Sequence, residues 1–262
     1  MLYNHPEYYE LAFSFRDIAS ETEFMSEGMR RHSRIPVQTV LEIGCGPAPH
    51  AEELCRRGYR YTGLDINERM LDYARGKLHH VRPEPSLILG DMVGFTIPEP
   101  VDYAFVMLGS LYVGSEEELH GHFDSLSRSL RSGGLYFLDW CIQFEGPEES
   151  ARNNTFEIQG NGITLKSHFD LRLLDAERRL YEETWRIDVD HGGDHHRFVM
   201  TERNVAILPD DFLSFLAERP DFERVGWWAD WDFGHPIEAG VEIVRPVVLL
   251  RRTDAPAPSA DR

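Results

Sequence analysis

Apolar positions change their period along this chain, and each change marks an element. Tyr8, Leu11, Ala12, Phe15, Ile18 and Ala19 recur every three or four residues, which predicts a helix over residues 7–32 with one buried face. From Val37 to Ile43 the period gives way to an apolar, β-branched run that stops at Gly44, the pattern of a strand buried on both sides. Further strands are expected at 59–65, 86–89, 101–108 and 135–141. Helices are expected at 49–58, after Asn67 (Met70, Leu71 and Ala74 supplying the buried side), and at 116–131. Strands and helices alternating at this spacing predict an α/β fold, a mostly parallel sheet with helices on both faces.

Beyond Trp140 the pattern is different. Four stretches, 155–159, 163–174, 180–190 and 196–206, read as strands separated by turn-forming segments such as Gly160-Asn161-Gly162 and His191-Gly192-Gly193-Asp194. They predict an antiparallel β insert. Helical character returns at 209–218, strands follow at 222–230 and 241–251, and residues 254–262 read as a frayed tail. The expected division is an N-terminal helical segment, 1–36, a core, 37–142, the insert, 143–206, a return to the core, 207–253, and the tail.

Charge narrows the partners. Lysine and arginine number 27 against 45 aspartate and glutamate, a net charge of −18, and the basic residues form short pairs rather than a stripe. Such a surface repels phosphate backbones, so no nucleic-acid partner is expected. Cys45, Cys55 and Cys141 have no paired spacing, which fits a reducing compartment better than a disulfide framework. No apolar run approaches the roughly 18 residues of a membrane span, and the first residues lack a signal-peptide pattern. No membrane partner and a cytoplasmic location are the expectations.

The chemistry gathers where predicted strands end. Val40-Leu41-Glu42-Ile43-Gly44-Cys45-Gly46-Pro47 places Gly-x-Gly between a strand and a helix, and two missing Cβ atoms let a ligand lie against the backbone. A dinucleotide turn would carry a third glycine at 49, where this chain has Pro49, and that counts against NAD or FAD. Glu42, buried at a strand end, calls for a partner such as an ammonium group. Asp65, 21 residues after Gly44, suits a carboxylate accepting from two ribose hydroxyls, with Ile66 beside it. Asp91 and Met92 follow the third strand, where an aspartate accepts from an adenine amine and the next N–H meets a ring nitrogen. All three segments sit at the carboxyl ends of successive parallel strands, where open α/β sheets bind ligands.

In this order and spacing the chain resembles the class I methyltransferases that depend on S-adenosylmethionine (SAM). Glu42-Ile43-Gly44-Cys45-Gly46 is similar to their glycine-rich motif, Gly63-Leu64-Asp65 to their ribose-binding acid, Gly90-Asp91-Met92 to their adenine segment, and Leu130-Arg131-Ser132-Gly133-Gly134-Leu135 to the turn entering their fifth strand. The resemblance covers residues 37–142. It implies a Rossmann-like seven-stranded sheet whose last strand runs antiparallel, SAM as cofactor with S-adenosylhomocysteine as product, and Met107 and Leu108 flanking the methionine arm. The N-terminal helix resembles that of small-molecule N-methyltransferases acting on glycine or amino sugars. There it closes over the cofactor, which implies Tyr9 (with Tyr8 the alternative) near the sulfonium and Arg16 near the cofactor carboxylate. The insert resembles a lid or dimer-forming sheet, with a homodimer and acceptor contacts from Trp185, Arg186 or His168 as its implications.

The inferred reaction is in-line methyl transfer to a nitrogen or oxygen of a small-molecule acceptor. Asp139 and His168 are the candidate general bases. Two alternatives stand: a silent SAM-binding regulatory protein, and an NAD-dependent oxidoreductase. His191, His195 and His196 cluster at a predicted hairpin tip without a ligand register, so no metal is expected.

Overall fold

The computed structural model describes residues 2–144, 155–238 and 241–258. Along the chain run strands β1 (Thr39–Ile43), β2 (Arg60–Asp65), β3 (Ser86–Leu89), β4 (Val101–Val106), β5 (Leu130–Asp139), β6 (Thr155–Gly160), β7 (Ile163–Asp175), β8 (Leu180–His191), β9 (Asp194–Val205), β10 (Phe222–Trp228) and β11 (Val247–Arg252). Helices are α1 (Pro6–Ala12), α2 (Ile18–His32), α3 (Ala51–Arg56), α4 (Glu68–Leu78), α5 (Glu116–Ser129) and α6 (Pro209–Ala217). They fall into two compact units. An antiparallel unit comprises Met1–Asp17, Tyr112–Ser115 and Glu145–Ala206; a parallel unit comprises Ile18–Leu111, Glu116–Phe144 and Ile207–Arg262.

The parallel unit holds a seven-stranded sheet in the order β10-β11-β5-β4-β1-β2-β3. β1 to β5 run parallel, and β11 is antiparallel to β5, as the resemblance implies for the last strand. Every residue of β1 and β4 is buried, which accounts for their mostly apolar runs. β1 starts at Thr39, two residues later than the pattern suggests. Asp102 takes the Gln38 and Thr39 N–H groups at 2.9 Å, so a side chain satisfies the backbone there. Asn67 caps α4, its Oδ1 accepting from the N–H groups of Arg69 and Met70. Gly134 is required by close approach: a Cβ there would lie 2.5 Å from the Asp102 carbonyl oxygen.

The antiparallel unit is a four-stranded meander, β6-β7-β8-β9. One face packs Leu165, Trp185, Ile187, Val189 and Met200 against Leu2, Tyr8 and Ala12. The single helix expected over 7–32 is a difference. It breaks between Ala12 and Ile18, because Phe13 packs on Trp185 (centroids 5.6 Å apart) and Phe15 on Phe156 (6.3 Å), and these contacts outweigh the local apolar period. Of the expected tail, residues 259–262 lie outside the described residues. Arg252 bonds the Ala255 carbonyl at 2.9 Å and so ties down the tail's beginning.

Candidate active site

At the carboxyl edge of the parallel sheet the glycine turn is stitched to the end of β2. The Gly44 and Cys45 N–H groups donate to the Leu64 carbonyl at 2.8 and 2.9 Å, and the Gly46 N–H donates to Asp65 Oδ2 at 2.6 Å. The other Asp65 oxygen accepts from the Asn67 N–H at 2.8 Å. Burial raises the Asp65 pKa, and its backbone donors pull it back. Each carboxylate oxygen has two lone pairs, so Asp65 keeps acceptor capacity beyond these bonds. Cys45 is a buried thiol pushed up by burial, beneath the turn and against Gly63.

Gly44 has φ +70°, a region glycine adopts without strain. A Cβ there would meet Met92 Cε at 3.5 Å and Ser110 Cβ at 3.9 Å, so the first motif, the segment after β3 and the loop after β4 converge on one patch of bare backbone. Asp65 and Leu89 are register partners on β2 and β3. Leu89 and the neighbouring Ile66 are 55% and 70% exposed, although both are large and apolar. A flat apolar group such as adenine would cover them, and the residues present fit an adenosyl cofactor on both counts.

Met92 is held from below. His122 is fully buried, with Nδ1 2.9 Å from the Met92 carbonyl oxygen and Nε2 2.7 Å from the Tyr136 hydroxyl. The carbonyl can only accept, which assigns the proton to Nδ1 and leaves Nε2 to accept from tyrosine. Burial lowers the His122 pKa to about 4, so the ring stays neutral. Asp91 Oδ1 accepts from the Val93 N–H at 2.9 Å and the side chain is exposed. Met107 is buried, and Leu108 has φ +54°, its N–H donating to Asp139 Oδ2 at 2.8 Å.

Three expectations change. Glu42 does not wait for a ligand's ammonium: Tyr61 donates to one oxygen at 2.5 Å and His50 Nδ1 lies 2.8 Å from the other. Asp139 is unsuited to act as a general base. It is fully buried and bound by Arg245 on both oxygens, by Trp231 Nε1 at 3.2 Å and by the Leu108 N–H, so a proton placed on it would displace an ion pair. His168 stands on the outer face of β7, exposed, between Thr155 Oγ1 at 2.8 Å and Asp170 Oδ1 at 3.0 Å, whereas the packed face carries Leu165 and Ser167. Arg186 is exposed on the same outer face and pairs with Asp170. Trp185 faces inward and donates to Ser167 at 2.7 Å.

Tyr8, Tyr9, Arg16, His168, Trp185 and Arg186 belong to the antiparallel unit, and the predicted site residues from Glu42 to Leu108, with Asp139, to the parallel one. Tyr9 is half-buried in an aromatic group with Tyr3 (5.9 Å), Phe13 (4.7 Å) and Trp185 (6.4 Å). Beside it in the same unit lies a feature that pattern alone does not reveal. Glu183 and Glu202 are direct cross-strand partners on β8 and β9, both half-buried. Tyr112 donates to Glu183 at 3.5 Å and Tyr3 to Glu202 at 3.4 Å. Burial raises the pKa of both glutamates, and the charge of Glu202 raises Glu183 further. Among the described residues no three His, Cys, Asp or Glu side chains form a metal-binding group, and no helix is long and apolar enough to cross a membrane.

Residues 40–134 match the methyltransferase domain family. A Streptomyces venezuelae dTDP-3-amino-3,4,6-trideoxy-alpha-D-glucopyranose N,N-dimethyltransferase is 29% identical over 52% of this chain and 56% of its own. The chain thus spans about half the length of the curated relatives it matches. Among solved structures, an S-adenosylmethionine-dependent methyltransferase from Clostridium acetobutylicum superposes with a TM-score of 0.77 at 19% identity, covering 94% of this chain and 96% of that one. A SAM-bound amino pentose methyltransferase from Micromonospora echinaspora gives 0.68 at 20% identity, covering 94% and 96%. At such identities the structures speak for the fold. Residues 40–134 thus carry the match to a methyltransferase domain, and the strand order is the fold that these solved methyltransferases share.

Proposed function

We propose that this chain transfers the methyl group of SAM to the amine nitrogen of a small-molecule acceptor, with amino sugars the first class to test. The observation that carries the choice of nitrogen is the facing pair Glu183 and Glu202. Like charges directly opposite on a sheet are destabilising, and two half-buried carboxylates among tyrosines form a setting that a cation relieves. A protonated amine is such a cation, and the tyrosine faces suit it too. The names of the sugar N,N-dimethyltransferase relatives point the same way.

When bound, the cofactor supplies an already activated methyl carbon. The residues proposed to hold it are Gly44, Cys45 and Gly46 as the backbone floor, Asp65 for the ribose, Ile66, Asp91 and Met92 for the adenine, and Met107 and Leu108 along the methionine arm. Glu42 supports the turn from beneath through Tyr61 and His50. Tyr9 and Arg16 are proposed as further cofactor contacts. The acceptor amine must lose a proton before its lone pair attacks. A glutamate whose proton affinity is raised takes that proton more readily than an exposed one, which gives Glu183 this role in place of Asp139 and His168. Glu183 would take the proton from the acceptor's ammonium, and the amine lone pair so freed would receive the methyl group that the bound cofactor supplies.

A cytoplasmic protein with no nucleic-acid or membrane partner fits the charge of −18 and the three buried free thiols. A homodimer through the antiparallel sheet is the expected assembly. The direct test is transfer of labelled methyl from SAM to a panel of amino sugars and matched hydroxyl sugars. Label on amines alone supports the proposal; label on hydroxyls alone overturns the choice of nitrogen.

A further inference from the structure

The parallel unit contains a line of buried charged groups that methyl transfer as described above does not use. It begins at Glu42 on β1. His50 Nδ1 lies 2.8 Å from Glu42 Oε1, and its Nε2 lies 3.0 Å from Glu21 Oε2 on α2. Glu21 Oε1 accepts from Arg245 at 3.0 Å, and Arg245 Nε reaches Asp139 Oδ1 at 2.8 Å. A second Arg245 nitrogen binds Asp139 Oδ2, and the guanidinium lies 4.7 Å from the Trp231 ring centroid. Glu21, Glu42, His50 and Asp139 are all less than 7% exposed. Each ring nitrogen of His50 thus faces a carboxylate oxygen, and the line runs Glu42, His50, Glu21, Arg245, Asp139.

Its two ends are the two sides of the proposed cofactor edge. Glu42 lies two residues before Gly44. Asp139 Oδ2 receives the N–H of Leu108, and the Asp139 carbonyl receives the N–H of Gly109 at 2.9 Å. Leu108 is a branched residue at φ +54°, a backbone conformation that persists only where its surroundings enforce it. Asp139 supplies that enforcement, and Arg245 holds Asp139 by a two-point fork that lysine's single ammonium does not reproduce. Buried ion pairs are poor devices for stability, since apolar replacements often serve as well. A chain of five that spans four separate segments and ends on a strained loop is better explained by geometry that has to be held.

We infer that Arg245 is a positioning residue for the cofactor edge: through Asp139 it fixes the left-handed turn at Leu108, and through Glu21 and His50 it ties that turn to the strand bearing Gly44. This rests on the assignment of Gly44–Gly46 and Met107–Leu108 to the cofactor.

The test uses the full chain with Arg245→Lys, which keeps the charge and loses the fork. A second variant, Arg245→Met with Asp139→Asn, removes both charges together and serves if the first fails to fold. Amide hydrogen exchange by mass spectrometry on peptides covering 106–111, without ligand, reads the loop; calorimetric titration with S-adenosylhomocysteine reads the cofactor edge. The expected result is exchange at Leu108 and Gly109 faster by about tenfold, while peptides from β2 and α4 stay unchanged, and a Kd for S-adenosylhomocysteine raised about tenfold. Folded variants with loop exchange and affinity within twofold of the parent overturn the inference. So does faster exchange spread evenly over the unit, which marks a merely structural brace. If the parent itself binds no S-adenosylhomocysteine, the cofactor assignment fails, and the exchange data still decide whether Arg245 holds the loop.

Discussion

The two units handle buried charge in opposite ways. In the parallel unit Glu42, Asp65 and Asp139 each end on a donor that the fold itself supplies: a histidine and a tyrosine, backbone N–H groups, and an arginine. In the antiparallel unit Glu183 and Glu202 face each other, and tyrosine hydroxyls at 3.4 to 3.5 Å are the donors recorded for them. Carboxylates paired as those of Glu42 and Asp139 hold their surroundings still, and Asp65 keeps lone pairs for a hydroxyl; a pair that repels has charge left for a cation to meet. The first arrangement suits a cofactor whose position must be fixed. The second suits a cationic ligand, the role proposed for the acceptor amine.

The largest expected effect sharpens the first half of this contrast. His122 has a pKa of about 4 in the folded state against an ordinary 6.5. Its folded-state value is depressed, so its contribution is full above pH 6.5, falls as the pH drops towards 4, and is gone below that. The difference of 6.5 − 4 = 2.5 units corresponds to about 3 kcal/mol for a fully buried ring. Denaturant unfolding from pH 7 to 4 is expected to show that loss in the parent and a much shallower one in His122→Gln. Equal slopes would mean that the ring beneath Met92 is not the buried neutral group described above.

Next in size is the effect of the acceptor pair on the reaction. Glu183→Gln with Glu202→Gln keeps shape and hydrogen bonding and removes both charges. We expect kcat/KM for the amine to fall by roughly thirtyfold, about 2 kcal/mol, with affinity for S-adenosylhomocysteine within twofold. Equal loss in both measurements would break the separation of roles between the units.

The smallest effect is on stability, and it has the opposite sign. Burial, then the charge of Glu202, raises the Glu183 pKa. A raised acid favours the folded state while protonated, so that advantage is lost as the pH rises through its folded-state value. Above that value the ionised pair opposes folding. Glu183→Gln is therefore expected to be more stable than the parent at pH 8 by ~0.5–1 kcal/mol, a shift of about 2 °C in Tm, allowing for a half-exposed site. The gain should vanish near pH 4. A variant less stable at every pH would show that Glu183 serves folding rather than binding.

The same contrast explains what the sequence reveals and what it hides. The places of Gly44, Asp65 and Asp91 at strand ends were legible because each follows an apolar run, and the sheet brings the ends of neighbouring strands together. A mostly parallel sheet followed from alternating strands and helices, which admit few topologies, and its seven strands from the resemblance. His50 had a signal: a buried Glu42 demands a donor, and a histidine stands eight residues on. Arg245 had none: its segment reads as the start of a strand, and its partners are 106 and 224 residues away in sequence. For the insert, alternation separates the two faces of a strand but does not say which strands pair. Glu183 and Glu202 become a pair only through the β8–β9 register, and His168 proves to be on the outer face only once Leu165 and Ser167 are seen on the inner one. Asp139 looked available at a strand end because Arg245 and Trp231, its partners, come from a distant segment.

The most direct measurement is calorimetric titration with S-adenosylhomocysteine of the parent, of Asp65→Ala and of the Glu183→Gln, Glu202→Gln variant, with NAD as control. The account predicts one saturable site in the parent, weakened about fiftyfold or more by Asp65→Ala, unchanged by the glutamate substitutions and silent towards NAD. A folded parent that binds no adenosyl ligand, or one whose affinity ignores Asp65, would contradict it.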